Sequence, residues 1–141
     1  GTRDVPGAPM IAADTNILVR FLVRDDEKQA MAVHRRLKRA EQSRESLLVP
    51  LLVVLETVWV LKSASRKSRD EILDALDDLR RMPVFVFERN DVLQTALAEG
   101  RTTKADIADL LIAHSARSSG GEGVLTLDKR AAVLPFFHLL K

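Results

Sequence analysis

Short apolar runs alternate with longer stretches in which apolar positions recur every three or four residues. The runs are Met10–Ala13, Leu47–Val49, Val84–Phe87, Val124–Leu127 and Phe136–Leu140, and each reads as a short strand. Between them the helical period appears. It runs through Ile17, Leu18, Phe21 and Leu22 in Thr15–Arg24, and through Ala30, Val33 and Leu37 in a helix capped by Asp25 or Asp26 and reaching Arg44. Pro50 suits the first turn of an almost wholly apolar helix to Ala64. Ser68 or Asp70 opens an amphipathic helix through Ile72, Leu73, Leu76 and Leu79, which Pro83 ends. Asp91–Gly100 reads as a short helix stopped by Gly100, and Asp106–Ser118 as another stopped by Gly120-Gly121. Short apolar strands separated by helices predict an α/β fold, a three-layer α/β/α sandwich with a central, mostly parallel sheet.

Residues 1–9 (GTRDVPGAP) lack this periodicity and read as a leader outside the fold, leaving 10–141 as a single domain. They contain no long apolar run, and nowhere do ~18 apolar residues follow one another, so neither a signal peptide nor a membrane span is expected and the location is expected to be cytoplasmic. The chain has no Cys, which excludes disulfide frameworks, zinc ribbons and thiol nucleophiles. Aromatics are 4% with no Tyr, which disfavours base stacking as the main mode of nucleic-acid recognition. Gly120-Gly121-Glu122-Gly123 fits neither phosphate-binding glycine pattern. The net charge is only +2, so this is no polycationic arm.

A few acids stand in unusual places. Glu56 is the only ionisable residue in Leu47–Leu61, and a helix so apolar all round is expected to be buried. A lone buried carboxylate needs a cationic partner, a proton or a metal. Asp14 and Asp128 each end a strand, on the rim where open α/β sheets bind ligands. Each also suits a helix N-cap. Asp106 and Asp109 are three apart at a helix start, where capping and the helix dipole explain both without a site.

Carboxylates converging without sulfur or a histidine cluster require a cation to stay ionised, and oxygen donors select Mg²⁺ or Mn²⁺. Such ions assist phosphodiester hydrolysis. His34 and His138 stand among unrelated residues; His114 reads as a satisfied core residue, and Trp59, Phe136 and Phe137 as core. Three basic clusters complement the acids: His34–Arg39 with Arg44, then Lys62, Arg66, Lys67 and Arg69, then Lys129-Arg130. Each is either a solvated helix face or part of a phosphate-tracking rim.

Met10–Phe21 (MIAADTNILVRF), Val49–Leu61 (VPLLVVLETVWVL), Asp106–Ala113 (DIADLLIA) and Thr126-Leu127-Asp128 resemble, in order and spacing, the four motifs of PIN-domain ribonucleases. The likeness is greatest to the VapC-like toxins of bacterial toxin–antitoxin pairs. It implies metal-binding and catalytic roles for Asp14, Glu56, Asp109 and Asp128. Asp106 matches an auxiliary acid, and Asn16 and Thr126 match supporting polar residues. The same resemblance implies a Mg²⁺- or Mn²⁺-dependent endoribonuclease, a homodimer, and a cognate antitoxin through which operator DNA is bound. Leu127 departs from the pattern, which often has an aromatic there.

Two other readings compete. A haloacid-dehalogenase-type phosphatase also starts from a strand-terminal Asp, but wants a second Asp where this chain has Asn16. A non-catalytic nucleic-acid-binding module would keep the pocket only as a vestige, which four intact acids oppose.

Overall fold

The computed structural model describes residues 9–141; the leader expected at 1–9 lies outside the described residues except for Pro9. The chain forms two compact units, Gly1–Arg89 and Asn90–Lys141. Both are α/β units whose strands pair in parallel, in line with the alternation of short apolar runs and helical periods.

The first unit runs β1 (Ile11–Ala12), α1 (Thr15–Leu22), α2 (Glu27–Gln42), β2 (Leu47–Val49), α3 (Leu51–Ser63), α4 (Arg69–Arg80) and β3 (Phe85–Phe87). The strand order is β1-β2-β3, with Ile11 opposite Leu47 and Leu47 opposite Phe85. Parallel neighbours need crossovers, which α1–α2 and α3–α4 supply. Leu18, Leu61, Leu73, Leu76 and Leu79 are less than 2% exposed and join α1, α3 and α4 in the core. Burying each contributes ~1.5–3 kcal/mol.

Helix ends follow local chemistry with one exception. Asp26 caps α2 by accepting from the Gln29 amide at 3.0 Å. Ser68 and Glu71 cap α4 reciprocally. Pro50, expected inside the first turn of α3, is its N-cap and offers no side-chain acceptor. The acceptor comes from the end of β3 instead: Glu88 Oε1 takes the Leu51 amide at 2.9 Å.

The second unit runs α5 (Asn90–Thr102), α6 (Ile107–Ser118), β4 (Val124–Thr126), a 3-10 helix (Ala131–Val133) and β5 (Phe137–Leu139). Ala113, Ala131 and Phe137 form a buried cluster, with Val124, Leu134 and Phe136 packed on it. Gly100 does not stop α5, which continues to Thr102. The reason is that Gly100 extends the buried stripe of Leu93, Ala96 and Leu97, and its φ is not positive.

Two helices end in the same Schellman geometry with different residues at the left-handed position. After α6, Gly120 has φ +91°, and Gly120 and Gly121 donate to the Arg117 and Ala116 carbonyls. After α2, Arg44 has φ +56°, and Arg44 and Glu45 donate to the Glu41 and Ala40 carbonyls. A Cβ is costly there by ~1–2 kcal/mol. Urea unfolding should therefore show Gly120→Ala destabilised by about 1 kcal/mol and Arg44→Gly unchanged or stabilised by up to about 1 kcal/mol.

The α4 cap also sets a pH dependence. The Ser68 backbone amide, then its side chain, hold the Glu71 carboxyl below the usual carboxylate range. A depressed folded pKa stabilises at neutral pH, and that contribution is lost as pH falls through the lowered value. Glu71→Gln, which cannot titrate, should lose less stability than the parent between neutral pH and pH ~3 in thermal melts.

Candidate active site

Asp14 follows β1 at its carboxyl end. The chain stays paired one residue past the strand, where the Ala13 amide donates to the Leu48 carbonyl at 2.8 Å. Asp14 then turns the chain into α1 as its N-cap, Oδ1 accepting from the Thr15 amide at 2.8 Å. The capping role that competed with a site for Asp14 is thus real, but it occupies only one oxygen. Thr15, the first residue of α1, is buried, and its hydroxyl donates to Glu56 Oε1 on α3. Asp14 and Glu56 are joined in this way through one threonine. Among the described residues, Asp14 Oδ2 and Glu56 Oε2 accept no hydrogen bond.

The environment of Glu56 differs from the expectation. It is exposed, because α3 is not buried all round. Val54, Thr57, Val58 and Leu61 make the inward stripe. Leu52, Glu56 and Trp59 recur at i, i+4 and i+7 on the outward face, with Leu52 78% and Trp59 65% exposed. Trp59 is therefore not core, and the cost of burying a lone charge is not what singles out Glu56. The tie to Thr15 is. Thr57, fully buried on the other side of α3, merely returns its hydroxyl to the Val53 carbonyl at 2.7 Å.

In the second unit Asp106 is the N-cap of α6 and accepts from the Asp109 amide at 3.0 Å. Asp109 lies in the first helical turn, and both are half-buried. Asp128 follows β4 in a tight turn. Its amide donates to Thr126 Oγ1 at 3.0 Å and its Oδ1 accepts from the Arg130 amide at 2.8 Å. Thr126 thus shapes the turn that presents Asp128. His114 shares a hydrogen bond with Glu99 at 3.2 Å, as suits a satisfied structural histidine. Asn16 is exposed in the first turn of α1. Within neither unit do three His, Asp or Glu side chains among the described residues gather closely enough to hold a metal ion.

A model of the PIN domain matches residues 11–136. The chain belongs to the PIN-domain family. That membership places it in a family of nucleases and accords with parallel strands flanked by helices. The PIN domain is also similar to a protein named VapC ribonuclease from Aquifex aeolicus (strain VF5), 24% identical over 123 residues, 87% of this chain and 90% of that protein. No helix of its described residues is long and apolar enough to cross a membrane.

Sequence reasoning passed over Thr15 although it stands between Asp14 and Asn16. The available signal was a hydroxyl at the first helical position, on the same helix as the apolar stripe of Leu18 and Val19. Donor chemistry at the Asp14–Thr15–Glu56 link suits a hard cation: the groups are oxygens, with no sulfur or imidazole among them.

The exposed face of α3 has its own reporter, since Trp59 is the only tryptophan. Acrylamide should quench native fluorescence almost as well as it does in urea. Trp59→Ala should change stability by no more than about 0.5 kcal/mol, against ~3–5 kcal/mol for a core tryptophan.

Proposed function

We propose that this PIN domain is a Mg²⁺- or Mn²⁺-dependent endoribonuclease that acts as the toxin of a toxin–antitoxin pair. Asp14, Glu56, Asp109 and Asp128 are the catalytic and metal-binding acids, with Asp106, Asn16 and Thr126 in support. The observation that carries the reading is the Asp14–Thr15–Glu56 link inside a matched PIN domain, at the carboxyl end of a parallel strand. A relative named VapC ribonuclease supports RNA as the substrate, and the likeness of the motifs to VapC-like toxins supports the toxin role. The resemblance of the four motifs to VapC-like toxins adds, as proposed partners, a cognate antitoxin and a second copy of this chain, with operator DNA reached only through the antitoxin.

These acids would hold the divalent ion, whose chemistry would be activation of a water and charge stabilisation at the phosphodiester. The residues of this chain do the positioning. The Thr15 amide holds Asp14 Oδ1 and leaves Oδ2 available as a ligand. The Thr15 hydroxyl restrains the rotation of Glu56, which a solvent-facing glutamate would otherwise enjoy. Thr126 and the Arg130 amide fix the turn at Asp128. Asp106 spends a carboxylate oxygen on the Asp109 amide and so sets the first turn that carries Asp109.

Incubation with structured RNA in Mg²⁺, Mn²⁺ or EDTA tests the reading. The parent should cut only with metal, and Asp14→Asn, Glu56→Gln, Asp109→Asn and Asp128→Asn should each lose on the order of 10²-fold or more. Thr15→Val should lose ~10–100-fold, the usual cost of removing a group that orients a ligand. Expression of the parent alone should slow growth, and Glu56→Gln should relieve it. Full activity in EDTA, or in the acid variants, would overturn the assignment.

A further inference from the structure

The net charge of +2 conceals an uneven distribution. On α2 the inward face carries Ala30, Val33, Leu37 and Ala40. At 100° per residue the opposite face carries Lys28, Met31, Arg35, Lys38 and Arg39, and all five are exposed. Arg24, Met31, His34, Arg35, Lys38 and Arg39 line one open groove whose described lining includes no acid.

Ion pairing separates Arg35, Lys38 and Arg39 from several other basic residues, including Arg24 at the edge of the groove, which pairs with Glu27 at 3.3 Å. Arg36, next door in sequence, is turned to the flank and ion-paired with Glu45 at 2.8 Å. That pairing lowers the Glu45 carboxyl and raises the Arg36 guanidinium pKa. Arg20, Arg80 and Arg81 pair with Asp25, Asp77 and Asp78. Lys67 lines a pocket with Glu71, Asp74 and Asp78. Among the described residues, by contrast, Arg35, Lys38 and Arg39 have no ion-pair partner. Arg39 touches the field of Glu45 only at a distance. Placing Arg35 three and four residues before Lys38 and Arg39 sets like charges side by side, which an isolated helix disfavours.

We infer that the outer face of α2 is a docking surface for the phosphate backbone of an RNA strand, on a different element from the acids of α1 and α3. The inference rests on the nuclease reading above. From Lys28 to Arg39 the face is about 16 Å long, enough for several successive phosphates. Its only large apolar side chain is Met31, too little for the anchored core of a protein interface but no handicap for backbone contacts. The His34 ring is already stacked on Phe21, with centroids 5.8 Å apart, so contact runs to phosphate rather than to bases.

The full chain is titrated with a fluorescein-labelled single-stranded RNA in EDTA, which keeps cleavage off, over a range of salt. The Arg35→Ala/Lys38→Ala/Arg39→Ala variant should bind at least about tenfold more weakly, with a log–log salt slope shallower by about 2. Arg35→Lys/Arg39→Lys should keep the parent slope. With Mg²⁺ the alanine variant should raise KM and keep kcat. An unchanged slope in the alanine variant, or a parent that does not bind RNA in EDTA, overturns the inference whether or not the parent cleaves. A parent that binds RNA through this face yet cleaves none with metal defeats the nuclease reading alone. If the alanine variant loses poly-glutamate but not RNA, the face serves an acidic protein and the inference fails.

Discussion

The hydroxyl of Thr15 bonds to the carboxylate of Glu56, and that bond depends on how β1, α1 and α3 meet in the first unit. A hydrogen bond to a charged acceptor is stronger than a neutral one, and here the donor is buried while the acceptor faces solvent. It can form only because β1 ends where it does, so that Asp14 caps α1 and Thr15 becomes its first, inward-facing residue. It also needs α3 to lie against α1, which the buried Leu18, Val58 and Leu61 secure. Strand end, helix start and helix packing therefore meet at one side chain. The carboxylates on either side of it gain fixed positions without being taken out of water.

Exposure changes the physical account of the acids. A buried carboxylate is conspicuous because it is expensive; an exposed one can be common and meaningless. What distinguishes Asp14 and Glu56 is that each gives one oxygen to Thr15 and keeps the other. Asp128 and Asp106 follow a related pattern, with an oxygen held by the backbone amide two and three residues on, respectively. Short-range capping chemistry thus orients these carboxylates, and a cap that uses one oxygen is compatible with a ligand role for the other.

Charge is partitioned by pairing more than by composition. Arg36 and Arg39 lie three apart on one helix, yet the first is matched by Glu45 and the second is not. Basic residues that look equivalent along α2 therefore divide into a neutralised flank at Arg36 and an outer face at Arg35, Lys38 and Arg39 without ion pairs among the described residues. A small domain with few aromatics can still hold a polyanion on such a face, because phosphate contacts require charge at intervals and little apolar surface.

Much of this was legible in the residues themselves. Apolar periodicity located the strands and helices, Ser68 and Asp26 announced helix starts, Gly120 announced a stop, and four short motifs marked the family. These features depend on neighbours within a few positions. Where the reading failed, the deciding contact was distant. Gly100 continues α5 because it lies on a buried stripe. The start of α3 is capped by Glu88 from the turn after β3. Trp59 and Glu56 face outward because Val54, Thr57, Val58 and Leu61 are the residues of α3 that are buried. Thr15 acquires its role from a residue 41 positions away. By itself the sequence determined the elements, the parallel α/β class and the family, since these follow from local periodicity and short motifs. Which face of each helix is covered, and which polar groups find partners, was decided only when distant segments packed together.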